Sequence, residues 1–329
     1  MTRRFWVAAC AAVMCISSHV LASHASAEVY PSRAVTIVVP FAAGGPADAL
    51  ARLLGEKMRG PLGQPLIVEN VAGAAGVTGV GRVVRAAPDG YTIGIGHWST
   101  HVLNGAFYQL PYDLLTDLEP VALLPANPAF IIVRKELPPN DVAELISWLK
   151  ANPGQASAGT AGGGSTSHIT GVYFQGITGT RFNFVPYRGT GPALNDLMAG
   201  HIDLMFDQAS NSIEQIRGGT VRALAVTSKS RLAAMPDIPT VDEAGVPGLY
   251  NSTWYGLWAP KGTARTIIAK LSAAAAEAMA DPAMRQRLGN QGFEIPPRDQ
   301  QTPEALAAHQ KAEIEKWWPI IKAANIKAE

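Results

Sequence analysis

Residues 159–171 read GTAGGGSTSHITG, a stretch whose chemistry lies in its backbone as much as in its side chains. Glycines allow positive φ and close approach of the chain to a ligand, and Ser165, Thr166 and Ser167 stand where a strand gives way to a helix. At such a junction unpaired N–H groups and the positive end of the helix dipole face outward, which suits an anion, and the hydroxyls add donors. A second loop of this kind, Pro40 to Asp48, sets Gly44, Gly45 and Pro46 at the mouth of another helix. Asp48 in its first turn would repel an anion, so its expected task is capping. Two such N-termini facing each other across a cleft would hold a ligand by its terminal carboxylates without a cationic side chain.

Catalytic readings fail on particular letters. No Gly-Lys-Ser/Thr phosphate loop is present in the 159–171 stretch, and Gly162 to Ser167 ends in Ser where a dinucleotide fingerprint needs Gly. Gly163 to Ser167 likewise lacks the closing glycine of a serine elbow. His168 is expected as a helix-start or packing residue, and an exported serine hydrolase using Ser165 and His168 stays as the alternative. His97 and His101 are four apart without a flanking acid at a metal-site spacing, and there is no H-E-x-x-H. No catalytic residue, metal or cofactor is expected.

The chain opens with two arginines, an apolar run from Phe5 to Leu21 and the small-residue end Ala25-Ser26-Ala27. That order predicts a signal peptide, residues 1–27, cleaved after Ala27, and hence a periplasmic product. Cys10 and Cys15 both fall inside it, so the exported chain must fold without disulfides. Twenty-seven basic against 26 acidic residues leave no surface suited to nucleic acid.

The elements needed to position these loops follow from periodicity. Val35–Val39 is a β-branched run, then a tight loop, then Leu50, Leu53, Leu54 and Met58 at helical spacing. Leu66–Glu69, a helix through Val80–Val84 and Tyr91–Ile95 repeat the grammar, and residues 130–230 repeat the layout again. Alternation of this kind predicts an α/β fold with parallel sheets covered on both faces. The last quarter reads as one apolar strand, Thr253 to Ala259, and helices, with Thr302 capping the last one. Trp254, Tyr255, Trp258, Trp317 and Trp318 are expected in the core.

A run of motifs carries a resemblance over essentially the whole chain after residue 27. Tyr30-Pro-Ser-Arg33, Val39-Pro-Phe-Ala-Ala-Gly-Gly-Pro-Ala-Asp48, Val68-Glu-Asn70, Ala87-Pro-Asp-Gly-Tyr91, Val185-Pro-Tyr-Arg-Gly189, Leu224-Ala-Val-Thr227 and Pro239 to Gly245 resemble the Bug-type extracytoplasmic solute receptors of tripartite tricarboxylate transporters. The resemblance implies a type II periplasmic-binding-protein-like fold, two α/β domains joined by two hinge strands. Domain 1 would be residues 28–127 plus 251–329 and domain 2 residues 128–250, with hinges near Ala126–Phe130 and Asn251–Leu257. It implies a monomer that binds a small organic carboxylate (a di- or tricarboxylate, an acidic amino acid or an aromatic acid) and serves membrane subunits of a transporter. A ligand-sensing partner of a membrane signalling protein fits the same residues. Carried over by motif, the contact residues are Phe41, Gly44, Gly45, Ala47 and Asp48 on the first loop. Thr160, Gly164, Ser165, Thr166 and His168 come from the second, and Asp207 is an acid facing the cleft. Thr100 belongs to a third loop on which His97 or Trp98 would tune ligand choice, and Arg188 is expected to be structural.

Overall fold

The computed structural model describes residues 30–323; the expected signal peptide and its cleavage site lie outside them. Three parallel strands come first: β1 (Val35–Val39), β2 (Leu66–Asn70) and β3 (Thr92–His97), linked by helices α1 (Pro46–Leu62) and α2 (Val77–Val84). After a wide helical turn, Ser99–Leu103, and the short α3 (Asn104–Phe107), the chain enters β4 (Leu118–Arg134). A second parallel triplet follows α4 (Val142–Ala151): β5 (Ser157–Thr160), β6 (Asn183–Pro186) and β7 (Leu204–Gln208), joined by α5 (Thr166–Thr178) and α6 (Thr190–Met198). Then come α7 (Ala209–Arg217), β8 (Val221–Val226), β9 (Ser252–Pro260), and the helices α8 (Arg265–Ala280), α9 (Pro282–Asn290) and α10 (Pro303–Ala323).

Strand alternation shows why both sheet faces are covered. Val35, Ile37 and Val39 enter one core with Leu50, Leu54 and Met58 of α1, whereas Val38 enters another with Trp254, Trp258 and Leu306. In β4, Ile131 and Val133 point to a third core while Phe130 and Ile132 point to a fourth. Successive side chains take opposite faces, so a β-branched run buried on both sides must carry helices above and below.

The expectation of parallel sheets holds for the two triplets and fails for β4, β8 and β9. β4 pairs antiparallel with β9 from Leu118 to Pro128, then antiparallel with β7 and β8 from Ala129 to Arg134. Its 17 residues, at a strand rise near 3.3 Å, span on the order of 55 Å, enough to serve two sheets end to end. The physical reason for the reversal is that β4 leaves the first sheet and β9 returns to it beside β4, so one must run against the other.

The expected caps are present: the Thr302 hydroxyl accepts from the Ala305 N–H at 3.1 Å and Ser165 accepts from His168. Trp254 and Trp258 are buried in one core with Trp317 and Trp318 packed against it, whereas Tyr255 is buried in the core of Val35, Ile37 and Val39 and also faces the cleft described next. Among the described residues no helix is long and apolar enough to cross a membrane.

Candidate ligand-binding cleft

Every helix that leaves the end of β1, β5, β6 or β7 starts at one place. The N-cap residues of α1, α5, α6 and α7 are Gly45, Ser165, Gly189 and Gln208, and all four line a single cleft of ≈ 510 Å³. Parallel βα units put their helix N-termini at the carboxyl ends of the strands, which is where α/β proteins form their crevices. Each N-terminus contributes N–H groups with no intrahelical acceptor and a partial positive charge. Among the described residues no Lys or Arg lines this cleft.

The one acid on its wall, Asp48, is already occupied. Its Oδ2 accepts from the Gly44 N–H and from Arg52 Nε, both at 3.0 Å, and Oδ1 faces Arg52 Nη2 at 2.9 Å. Burial works against its charge, but Arg52, the Gly44 N–H and Asn70 outweigh it and hold the carboxyl below the usual range. Arg52 also donates to Asn70, which donates to the Phe41 carbonyl at 3.0 Å. This network fixes the loop and sets the Phe41 ring against the cleft.

Beside this loop the wall has donors of defined direction. His97 stacks on Phe41 (centroids 4.9 Å apart, 6° between planes) and meets Tyr255 edge-on at 5.5 Å. The Ser99 amide donates to His97 Nδ1 at 3.2 Å. An amide can only donate, so Nδ1 is the acceptor and the ring proton sits on Nε2. Burial pushes the His97 pKa down to about 3, so the ring is neutral at physiological pH. Tyr255 Oη donates to Gln208 Oε1, which orients the amide and leaves its NH2 as the donor end; burial pushes the Tyr255 pKa up and keeps that hydroxyl protonated.

The structure distributes the residues singled out in the sequence between the cleft wall and its support. Phe41, Gly45, Ala47, Asp48, Ser165 and Thr166 line the cleft. Gly44, with φ +86°, lies behind it and donates to Asp48. Thr100 is fully buried; its Oγ1 accepts from the His97 N–H and contacts the His97 carbonyl, both at 3.0 Å, so it holds His97 in place. Thr160 Oγ1 accepts from the Gly162 N–H, and the Gly164 N–H donates to Nδ1 of buried His168 at 3.1 Å. Asp207 is fully buried beneath the wall, where Oδ2 accepts from Asn211 at 2.8 Å. Burial pushes its pKa up to about 7, tempered by Asn211, Ser212, the Gln208 N–H and Thr190. Trp98 faces a different cavity, with Trp254, His309 and Trp317.

Ser165 Oγ meets Ser167 Oγ at 3.1 Å and accepts from the backbone N–H of His168 at 3.4 Å. That contact is a helix cap; the ring of His168 is oriented by Gly164 and packs edge-on to Phe184 at 4.6 Å.

His97 and Ser167, both singled out in the sequence, also line the wall, whereas Thr190, Gln208 and Tyr255 are wall residues that the sequence motifs did not deliver. Gln208 is at once the last residue of β7 and the N-cap of α7, and Thr190 is the first residue of α6 after its N-cap Gly189. Tyr255 stands at no such junction, and on an apolar strand its letters are those of core packing.

Two contacts join the loops of the two sheet halves across the cleft mouth. The Ala42 N–H donates to the Arg188 carbonyl at 2.9 Å, and Tyr108 Oη donates to the Gly163 carbonyl at 2.5 Å. Close approach also needs Gly191, where a Cβ would stand 3.1 Å from the Gly44 carbonyl group.

A profile of the tripartite tricarboxylate transporter family receptor matches residues 50–326. Among solved structures, the periplasmic binding protein BugD is 40% identical with a TM-score of 0.88, covering 91% of this chain and all of its own. MatC from Rhodopseudomonas palustris, solved with malate, is 39% identical with a TM-score of 0.86 over 89% of this chain and all of its own. A further R. palustris protein, solved with adipate, is 34% identical with a TM-score of 0.86 over 91% and 99%. With most of its length matched in sequence and in fold, the chain belongs to the tripartite tricarboxylate transporter receptor family, a family of solute-binding proteins and not of enzymes.

Proposed function

We propose that this chain is a periplasmic receptor that captures a small organic carboxylate and presents it, as a monomer, to the membrane subunits of a tripartite tricarboxylate transporter. The observation that carries this reading is the convergence of four helix N-caps on a cleft whose wall has no Lys or Arg among the described residues. First-turn amides of α1, α5 and α6 and the hydroxyls of Ser165, Thr166 and Thr190 would take the carboxylate oxygens. Phe41 and Ala47 would close the apolar side, with Gly45 letting the backbone approach. Asp48 on the wall, and Gly44, Thr100, Thr160, Gly164, His168 and Asp207 behind it, would hold those groups in place. Malate on MatC and adipate on the second R. palustris protein support a carboxylate as the ligand class.

Capture would proceed by closure of residues 28–127 with 251–329 against residues 128–250, with β4 and β9 as hinges. A ligand touching both sides stabilises the closed form by its differential affinity. The signal peptide would direct export across the inner membrane and be cleaved after Ala27.

The test is a thermal-shift screen over di- and tricarboxylates, acidic amino acids and aromatic acids, followed by calorimetry. A true ligand at a hundred times Kd should stabilise the fold by about 2.7 kcal/mol and be recovered chemically unchanged. A screen in which no organic anion raises the transition overturns the proposal.

A further inference from the structure

Phe41, Ala42 and Ala161 border both the cleft and a second, larger space of ≈ 1200 Å³ beside it. The loop 73–76 and Tyr108 bound this outer space on one side, and Gly163 and the segment ending in Arg188 on the other. Arg188 is its only charged lining residue among the described ones. The backbone of Arg188 is pinned at the junction, since its carbonyl accepts the Ala42 N–H at 2.9 Å. Its side chain is exposed and has no hydrogen bond or ion pair among the described residues. Asp48, the acid of the inner wall, is held by Arg52 and offers Arg188 no partner.

The facing loop is strained in a way that points to the same place. Ala74 and Ala75 both have positive φ, 45° and 50°, a conformation unfavourable for side chains with a Cβ that persists where surrounding structure imposes it and clusters at ligand sites. Asn104 imposes it here by donating to the Ala75 carbonyl at 3.1 Å.

We infer that Arg188 forms a second anionic subsite, receiving the distal carboxylate of an elongated dicarboxylate whose proximal carboxylate sits at the helix N-caps. The inference rests on the carboxylate reading of the inner cleft and adds to it a preferred ligand shape. A guanidinium matches a carboxylate through paired N–H donors. A monocarboxylate of the same length would leave it facing water, and a short dicarboxylate would lie wholly within the inner wall.

The test measures binding of succinate, adipate and hexanoate to the full exported chain by calorimetry, for wild type, Arg188→Gln and Arg188→Lys. Adipate should bind more tightly than hexanoate to wild type. Arg188→Gln should weaken adipate about tenfold or more, the scale of a charge-assisted hydrogen bond. The same change should leave succinate and hexanoate within about twofold and the unliganded melting temperature unchanged, as for an exposed side chain. Arg188→Lys should retain part of the adipate affinity. Equal loss for all three acids, no loss for adipate, or no preference of wild type for adipate over hexanoate overturns the subsite. If wild type binds succinate and not adipate, the inner reading stands and this one falls; if it binds none of the three, nor any other carboxylate, both fall.

Discussion

Asp207 is the residue whose chemistry is most at odds with its surroundings, a carboxyl without solvent exposure beneath a wall of hydrogen-bond donors. With its pKa pushed up to about 7 in the fold, the native state keeps a proton that the unfolded chain releases near the ordinary aspartate value. Stability therefore falls as pH rises from about 4, the unfolded value, through the folded one, and levels off above it. Asp48 and Asp203 act in the opposite sense. Burial opposes their charge, but Arg52 and Gly44 for the first, and Ser157 and Arg134 for the second, hold them below the usual range. The stability they contribute is present above their unfolded pKa and is lost as pH falls through their folded one. Asp207→Asn should flatten the decline between about pH 4 and pH 7 and spare the acid limb, as read from urea melts across that range. A second residue-scale prediction concerns Gly191. An added Cβ there meets the backbone of Gly44 and Gly45 at 3.1–3.2 Å, and overpacking of this kind costs about 1–3 kcal/mol. Gly191→Ala should weaken ligand binding by calorimetry more than it lowers the melting temperature of the unliganded chain.

At the scale of elements, the Tyr108 hydroxyl bridges the loops at the cleft mouth by donating to the Gly163 carbonyl, as the Ala42 N–H does by donating to the Arg188 carbonyl. Removing a single bond of this type costs about 1 kcal/mol. Tyr108→Phe should therefore speed ligand release several-fold in stopped-flow measurements, with little change in association rate. Much of the site's geometry was legible at this scale. A β-branched run, a glycine-rich turn and a helical apolar spacing located the N-termini of α1 and α5, and Ser165 and Thr302 cap their helices as their residue types suggest. The contributions of α6 and α7 were harder to read because Gly189-Thr190 and Gln208-Ala209 lack a run of glycines. Gln208 ends a strand, LMFDQ, that is buried throughout, so its letters look like core. His97 and Trp98 are neighbours in sequence, yet the chain turns between them and sends one ring to the cleft and the other to a separate cavity.

At the scale of the whole molecule, strand direction was the feature periodicity does not encode. An apolar run buried on both faces has the same letters whether its neighbours run with it or against it. That is why Thr253 to Ala259, the core of β9, was read as a strand but not as an antiparallel one. β9 lies between β3 and β4 in the first sheet, pairing Gly94 with Trp258 and Leu123 with Gly256. The whole of the second triplet is interposed in the chain between those partners. Contacts of such long sequence separation slow folding, because the entropy of closing the loop is lost before the pairing compensates. The order of synthesis thus has a bearing on assembly: β1 to β3 emerge early but wait for β9 as a neighbour, and until then β3 offers a bare hydrogen-bonding edge of the sort that invites aggregation.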